Sequence, residues 1–258
     1  MKEITNLKDE IAVYYDMLRD NQKKIVQKLE KHMPFYRFTF DKKTKSKEVI
    51  YDSTTNLFAS AGLVVSKIID DGKYYFVITK VSYLPKQFKK PSVVLFKAEC
   101  SAQDVPSMYP IKLAGVITDA SPSIFTVDLV EIMKTVKPKM EITVVGDKYE
   151  IASGSGYKAE LVFENVKYKD LKTGKSFKHK NAVFNLSGNE KDEKSNKEIK
   201  DTVLRYCKEL FPYEETRFEI ARRVLKARIE GKKVKFDKKA YLEAQKKKAQ
   251  IEKENAGL

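Results

Sequence analysis

Tyr51-Asp52-Ser53-Thr54-Thr55-Asn56-Leu57-Phe58-Ala59-Ser60-Ala61-Gly62-Leu63 runs directly into a hairpin that closes at Thr79-Lys80. The reading of this stretch decides the fold. Residues 48–51 have the apolar, β-branched content of a strand. Residues 56–60 suit one short helical turn, which Gly62 ends. Strands are expected over 63–69 and 73–81, flanking Asp70-Asp71-Gly72. An Asp-Gly pair supplies the left-handed backbone that a tight hairpin needs.

On the N-terminal side, residues 5–31 read as a helix. Ile11, Tyr14, Tyr15, Leu18, Ile25 and Leu29 recur largely at helical spacings, and Met33-Pro34 ends the run. From Phe35 the period shifts towards two, with a strand over 35–41, a polar turn over 42–47 and a return strand over 48–51. On the C-terminal side, strands are expected at 92–100, 140–145, 148–152, 157–168 and 176–186. Residues 101–123 read as irregular because of Pro106, Pro110 and Pro122, and 124–134 is compatible with helix or strand. Residues 188–197 read as a charged loop and 198–210 as an amphipathic helix. The segment from Arg217 is helical in propensity, interrupted near Gly231 and solvated after residue 238. Antiparallel strands joined by hairpins, with a few helices, point to an α+β protein built around a curved sheet or barrel.

The chain has 258 residues, 42% hydrophobic, enough for one large core or two small ones. No apolar run approaches the roughly 20 residues that span a bilayer. The charged amphipathic start is unlike a signal peptide, so the expectation is a soluble, cytoplasmic protein without a membrane partner. Cys100 and Cys207 lack CxxC spacing, and His32 and His179 are far apart in sequence. Both facts argue against a zinc site or a catalytic histidine. Gly154-Ser155-Gly156 lacks the lysine and helix of a phosphate-cradling loop. The formal net charge of +15 favours polyanionic partners. From Arg217 to Leu258 there are 14 basic and 6 acidic residues, a difference of +8.

The order Tyr51-Asp52-Ser53-Thr54, Leu57, Ala61-Gly62-Leu63 and a hairpin ending Val77-Ile78-Thr79-Lys80 resembles the CYTH-type triphosphate tunnel metalloenzymes. Their signature runs Tyr-Phe-Asp-Thr, a short helix with Leu, Ala-Gly, a strand with two arginines and a strand ending Leu-Thr-Leu-Lys. About 30 residues carry the likeness, and strand order extends it over roughly 35–212. The resemblance implies an antiparallel eight-stranded tunnel-like β-barrel with flanking helices. It further implies a triphosphate or nucleotide ligand gripped by basic side chains, and magnesium or manganese held by acidic ones. Phosphate oxygens take Lys and Arg donors, and hard divalent cations take carboxylates.

Carried over by position, the resemblance makes Lys80, Lys97 and Lys139 phosphate-binding candidates, with Lys137 an alternative to Lys139, and Glu99 a metal ligand. Other positions depart from the pattern. The Glu-x-Glu-x-Lys of the family's first strand is sought in Arg37-Phe38-Thr39-Phe40-Asp41, which has no glutamate pair. The two arginines fall on Ser66 and Ile68, with Lys67 adjacent if a bulge shifts the register. The closing Glu-x-Glu appears as Val183-Phe184-Asn185-Leu186. Glu160 and Glu164 share a strand face, as metal ligands or as a solvated exterior. The missing carboxylates argue against hydrolysis of the family's kind, leaving the catalytic residues unassigned.

Three segments follow: an N-terminal amphipathic helix (1–33), a CYTH-like β-barrel domain (34–212) and a basic helical C-terminal tail (213–258). The tail supports an alternative, a non-enzymatic nucleic-acid-binding, ribonucleoprotein or assembly protein, through Arg222, Arg223, Lys226, Lys232 and Lys233.

Overall fold

The computed structural model describes residues 2–4, 10–17, 21–81, 92–120, 128–212 and 217–232. The stretch that decided the sequence reading is realised element by element. Strand β3 (Tyr36–Asp52) is followed by the single-turn helix α2 (Leu57–Ser60), then β4 (Leu63–Asp70) and β5 (Lys73–Val81). Asp71 and Gly72 both have positive φ, 46° and 76°, as a two-residue hairpin turn requires.

Around this unit lie β1 (Lys2–Glu3), β2 (Glu10–Met17) and α1 (Gln22–His32) on the N-terminal side. After it come β6 (Ser92–Cys100), α3 (Pro110–Ala120), α4 (Leu129–Thr135), β7 (Lys137–Ser153), β8 (Lys158–Asp170) and β9 (Ser176–Ser187). Helix α5 (Glu193–Tyr206), β10 (Leu210–Pro212) and α6 (Arg217–Ile229) complete the described chain. Among the described residues, no helix is long and apolar enough to cross a membrane.

The strands form one antiparallel sheet in the order β1-β6-β5-β4-β3-β7-β8-β9-β2-β10. The expected antiparallel core with flanking helices is therefore present; among the described residues it has ten strands, and no ladder joins β1 to β10. Two short strands take the outer positions: β1 pairs with β6, and β10 with β2.

Cross-strand partners point to the same side, so the ladder registers sort the side chains into two faces. One face is the helix side. Val13, Tyr15 and Met17 of β2, Phe38 of β3, Phe163 of β8 and Phe184 of β9 pack there with Ile25 and Leu29 of α1 and with Ile199 and Val203 of α5. At the other end of that face, Val65, Ile78 and Phe96 meet Leu113 and Ile117 of α3 and Met133 of α4. The second face carries Ser66, Ile68, Lys97 and Glu99, the positions that would line a tunnel. Its apolar part, including Ile50, Ile142, Val166, Tyr168 and Phe177, is covered by Ala221 and Leu225 of α6.

Several expectations are corrected. Residues 10–17 are a strand, and helix begins only at Gln22; positions 5–9 and 18–20 lie outside the described residues. A strand with both faces in contact satisfies helical spacings by coincidence, and β-branched and aromatic side chains favour it. The polar residues 42–47 are the middle of β3, because β7 pairs along all of them and β4 joins on the other side from Ser46 onward. A bulge between Phe40 and Lys42 absorbs one extra residue.

Strand β7 is likewise continuous where two strands were expected. Gly146 marks close approach there rather than a turn, since a Cβ would lie 2.9 Å from Phe163 O. Within the region read as irregular, Pro110 opens α3, and Pro106 opens a 3-10 turn at Pro106–Met108. Proline is tolerated at a helix start, where its missing N–H has no partner to lose. Residues 129–135 resolve as helix, with Asp128 Oδ1 accepting from the Glu131 N–H at 3.1 Å. The C-terminal amphipathic helix begins at Glu193, inside the expected loop, and ends at Tyr206.

Candidate functional site

The Tyr51–Thr54 motif turns out to be a structural clamp. Asp52 is buried, and its carboxylate accepts from Ser53 N at 2.7 Å and from Phe58 N and Ala59 N at 3.0 Å each. Ser53 Oγ accepts from Leu57 N at 3.0 Å. These contacts satisfy the N–H groups that open α2, which intrahelical bonding cannot reach. Burial raises the Asp52 pKa, against the lowering effect of the three N–H donors and of the Lys139 charge. The residues that gave the clearest sequence signal thus spend their polar atoms on the turn.

The predicted phosphate ligands separate. Lys97 lies on the tunnel side, half-buried, with Nζ 4.7 Å from the centre of the Tyr75 ring. Its register partner is Val77, which in turn pairs with Ser66. Lys80 is exposed and pairs with Leu63, a core residue of the helix side. Thr79, paired with Val64, is the residue of that strand end that shares a face with Lys97. Lys139 sits at the irregularity between the Ile50–Met140 and Tyr51–Pro138 pairs, close enough to Asp52 for its charge to act on that carboxyl. Lys137 pairs with Asp52 at the same end of the ladder.

Lys67 gives no substitute for the arginine pair. The β3–β4 ladder runs without a bulge, and Lys67 Nζ donates on the helix side to Ala102 O and Asp104 O at 2.7 Å each. Ser66 is buried on the tunnel side.

Glu99 is exposed and paired with Tyr75. Among the described residues, no three His, Cys, Asp or Glu side chains are grouped so as to hold a metal ion. Magnesium dehydrates reluctantly and needs several oxygen ligands in return. The described residues around Glu99 do not fit such an ion.

The sequence reading missed a polar row on the tunnel side. Asp16, Asn181, Glu164, Gly146 and Thr44 are successive register partners across β2, β9, β8, β7 and β3. Asp16, Asn181 and Glu164 are 6%, 2% and 7% exposed. Burial pushes the Asp16 pKa up to about 6, only partly offset by the Met17 N–H. His179 Nε2 stands 3.4 Å from Asp16 Oδ1, and Asn181 Oδ1 has no hydrogen-bond partner among the described residues.

Beside this row, Lys148 Nζ binds Glu160 Oε1 at 2.6 Å and Asp41 Oδ2 at 3.5 Å. Burial works against the charge on Lys148, but Glu160 and Asp41 outweigh it and hold the ammonium above its ordinary range. Asn185 Nδ2 reaches Glu160 Oε2 at 3.4 Å. Glu160 is therefore in an ion pair and Glu164 is buried, and neither is a solvated exterior carboxylate.

The row was hidden because Asp16 lies in the segment read as helix. Once residues 10–17 are a strand, Ala12, Tyr14 and Asp16 alternate onto the tunnel side. Alternation over 10–17 was the signal that could have found it.

In the tail, α6 buries Ala221 and Leu225 and leaves Arg222, Arg223 and Lys226 exposed. Arg228 Nη1 donates to Ser176 O at 2.9 Å, and Lys175 Nζ to Arg228 O at 2.9 Å. Lys232 is paired with Glu230 at 2.8 Å, and Lys233 lies outside the described residues.

No protein-family model and no curated protein matches the chain. Among solved structures it is similar to a candidate adenylate cyclase from Bacillus halodurans, with TM-score 0.48 and 11% identity, over 85% of this chain and 98% of that one. It is also similar to a candidate adenylyl cyclase from Hippeastrum described by its dominant triphosphatase activity, with TM-score 0.48 and 13% identity, over 87% and 97%. A third is a protein from Pyrococcus horikoshii, with TM-score 0.42 and 11% identity, over 83% and 98%. The strand, short helix, glycine and paired strands that carry the resemblance to the tunnel fold are present in the same order in this structure.

Proposed function

We propose that this chain is a diverged tunnel-fold protein that binds a triphosphate or nucleotide on the tunnel side of its sheet and does not hydrolyse it by two-carboxylate metal chemistry. The observation that carries the reading is the half-buried Lys97 on the tunnel side, in a sheet whose Tyr51–Lys80 unit keeps the tunnel-fold order. An ammonium held against the Tyr75 ring is partly desolvated, which strengthens its attraction for phosphate oxygens. The carried-over metal ligand Glu99 is exposed and its register partner is Tyr75, which favours binding over turnover.

The test is thermal unfolding of the full chain with tripolyphosphate and with ATP, with and without manganese, beside a phosphate-release assay. Both compounds are expected to raise the midpoint, with Lys97→Ala losing most of the shift and phosphate release staying at background. A midpoint that no triphosphate moves overturns binding. Release that depends on manganese overturns the loss of catalysis.

A further inference from the structure

Among the described residues, the helices cover both ends of the helix side and not its middle, and that middle window is strongly basic. Following the ladders across β3, β7, β8 and β9, Lys45, Val145, Asn165 and Lys180 form one row. Lys47, Thr143, Lys167 and Lys178 form the next, and Lys169 stands opposite Ser176 and Glu141 in the third. Rows on one face repeat about 7 Å apart along the strands. Lys45, Lys167 and Lys178 are exposed. A groove of about 730 Å³ opens over Thr143, Asn165, Lys167, Lys178 and Lys180, and it also borders His179 and the buried Asp16. Glu141 is the acidic residue within these rows, and it is taken up by Lys47 at 2.8 Å.

Two features of the window point to a ligand. Lys167 and Lys178 are direct register partners, and like charges placed opposite each other destabilise a sheet. The window is also four strands wide, larger than one triphosphate needs. We propose that it docks the phosphate backbone of a nucleic-acid duplex. The rows hold no aromatic side chain on which an unpaired base would stack, so the surface fits phosphates and not bases. Val145 is the exposed large apolar residue there, which gives a membrane or an apolar-anchored peptide little to hold. This surface lies on the opposite side of the sheet from Lys97 and is separate from the basic face of α6, so the proposal does not depend on the triphosphate reading.

The experiment is fluorescence anisotropy of a mixed-sequence DNA duplex with the full chain, at low and at physiological salt. Lys45→Glu/Lys167→Glu/Lys178→Glu is expected to weaken binding by tenfold or more and to lower the log–log salt slope by about one for each phosphate that the variant no longer neutralises. The single variant Lys167→Glu converts a repulsive pair into an attractive one. Its midpoint of unfolding should hold or rise while duplex affinity falls, which separates binding from folding. Arg222→Glu/Arg223→Glu/Lys226→Glu and Lys97→Ala should each keep the wild-type duplex affinity. Absence of duplex binding, a window effect no larger than that of the α6 variant, or stronger binding to polyglutamate or anionic vesicles than to the duplex would overturn the proposal.

Discussion

Asp52 and Asp16 are both buried aspartates on the same sheet, and their surroundings are opposite. Asp52 ends β3, where three backbone N–H groups converge on its carboxylate. Asp16, one residue before the end of β2, lies beside His179 and Asn181, with one backbone N–H opposing its desolvation and its pKa at about 6. One half of the sheet thus uses buried charge to hold a turn, and the other retains buried charge that the fold does not fully satisfy. Polar groups that remain costly after folding are where binding or catalysis is usually found. The difference locates the less satisfied polar groups at Asp16 of β2 and Asn181 of β9, away from the Tyr51–Thr54 motif.

The largest expected effect breaks the Asp52 side. Asp52→Ala strands three buried donors, and each unsatisfied buried group costs about 1–3 kcal/mol. A loss of about 4 kcal/mol in urea unfolding is expected, and a loss under about 1 kcal/mol would show that water replaces the carboxylate.

The second prediction sharpens the Asp16 side through pH. A carboxyl raised from 3.8 to about 6 in the folded state holds its proton more tightly there than in the unfolded chain. Its penalty is absent below pH 3.8, grows as pH rises towards 6 and is complete above 6. The two-unit shift corresponds to about 3 kcal/mol. Asp16→Asn should therefore be more stable than wild type by about 2–3 kcal/mol at pH 8, with the gap closing near pH 4. Parallel stability–pH curves for the two proteins would refute this.

The smallest effect tests how tightly the polar row is packed. Gly146→Ala puts a Cβ 2.9 Å from Phe163 O and 3.1 Å from Thr44 Oγ1. Overpacking of this kind costs about 1–2 kcal/mol. The same substitution at the open Gly115, which has nothing within 4 Å, should be neutral or stabilising.

The legible parts of the fold were local. The Asp71-Gly72 turn, the α2 turn before Gly62 and the amphipathic pattern in the C-terminal half of residues 5–31 all depend on neighbours a few residues away. The candidate site was less legible because a face is a property of register. Lys80 and Lys97 look alike as strand lysines, yet the β4–β5 pairing puts Thr79, not Lys80, on the face of Lys97. Glu164 reads as a surface carboxylate until β9 and β2 place Asn181 and Asp16 alongside it.

The sequence by itself determined the strand–turn–glycine–hairpin unit of residues 48–81, the alternation of its strands and the net positive charge. These follow from backbone preferences and composition, which act without distant partners. Only the tertiary structure decided that residues 10–17 are a strand, that the lysines of 42–47 lie within β3 and that α6 covers the apolar part of the tunnel side. Each of those outcomes depends on hydrogen bonds or apolar packing with partners far away in the chain, for which no local pattern holds the information.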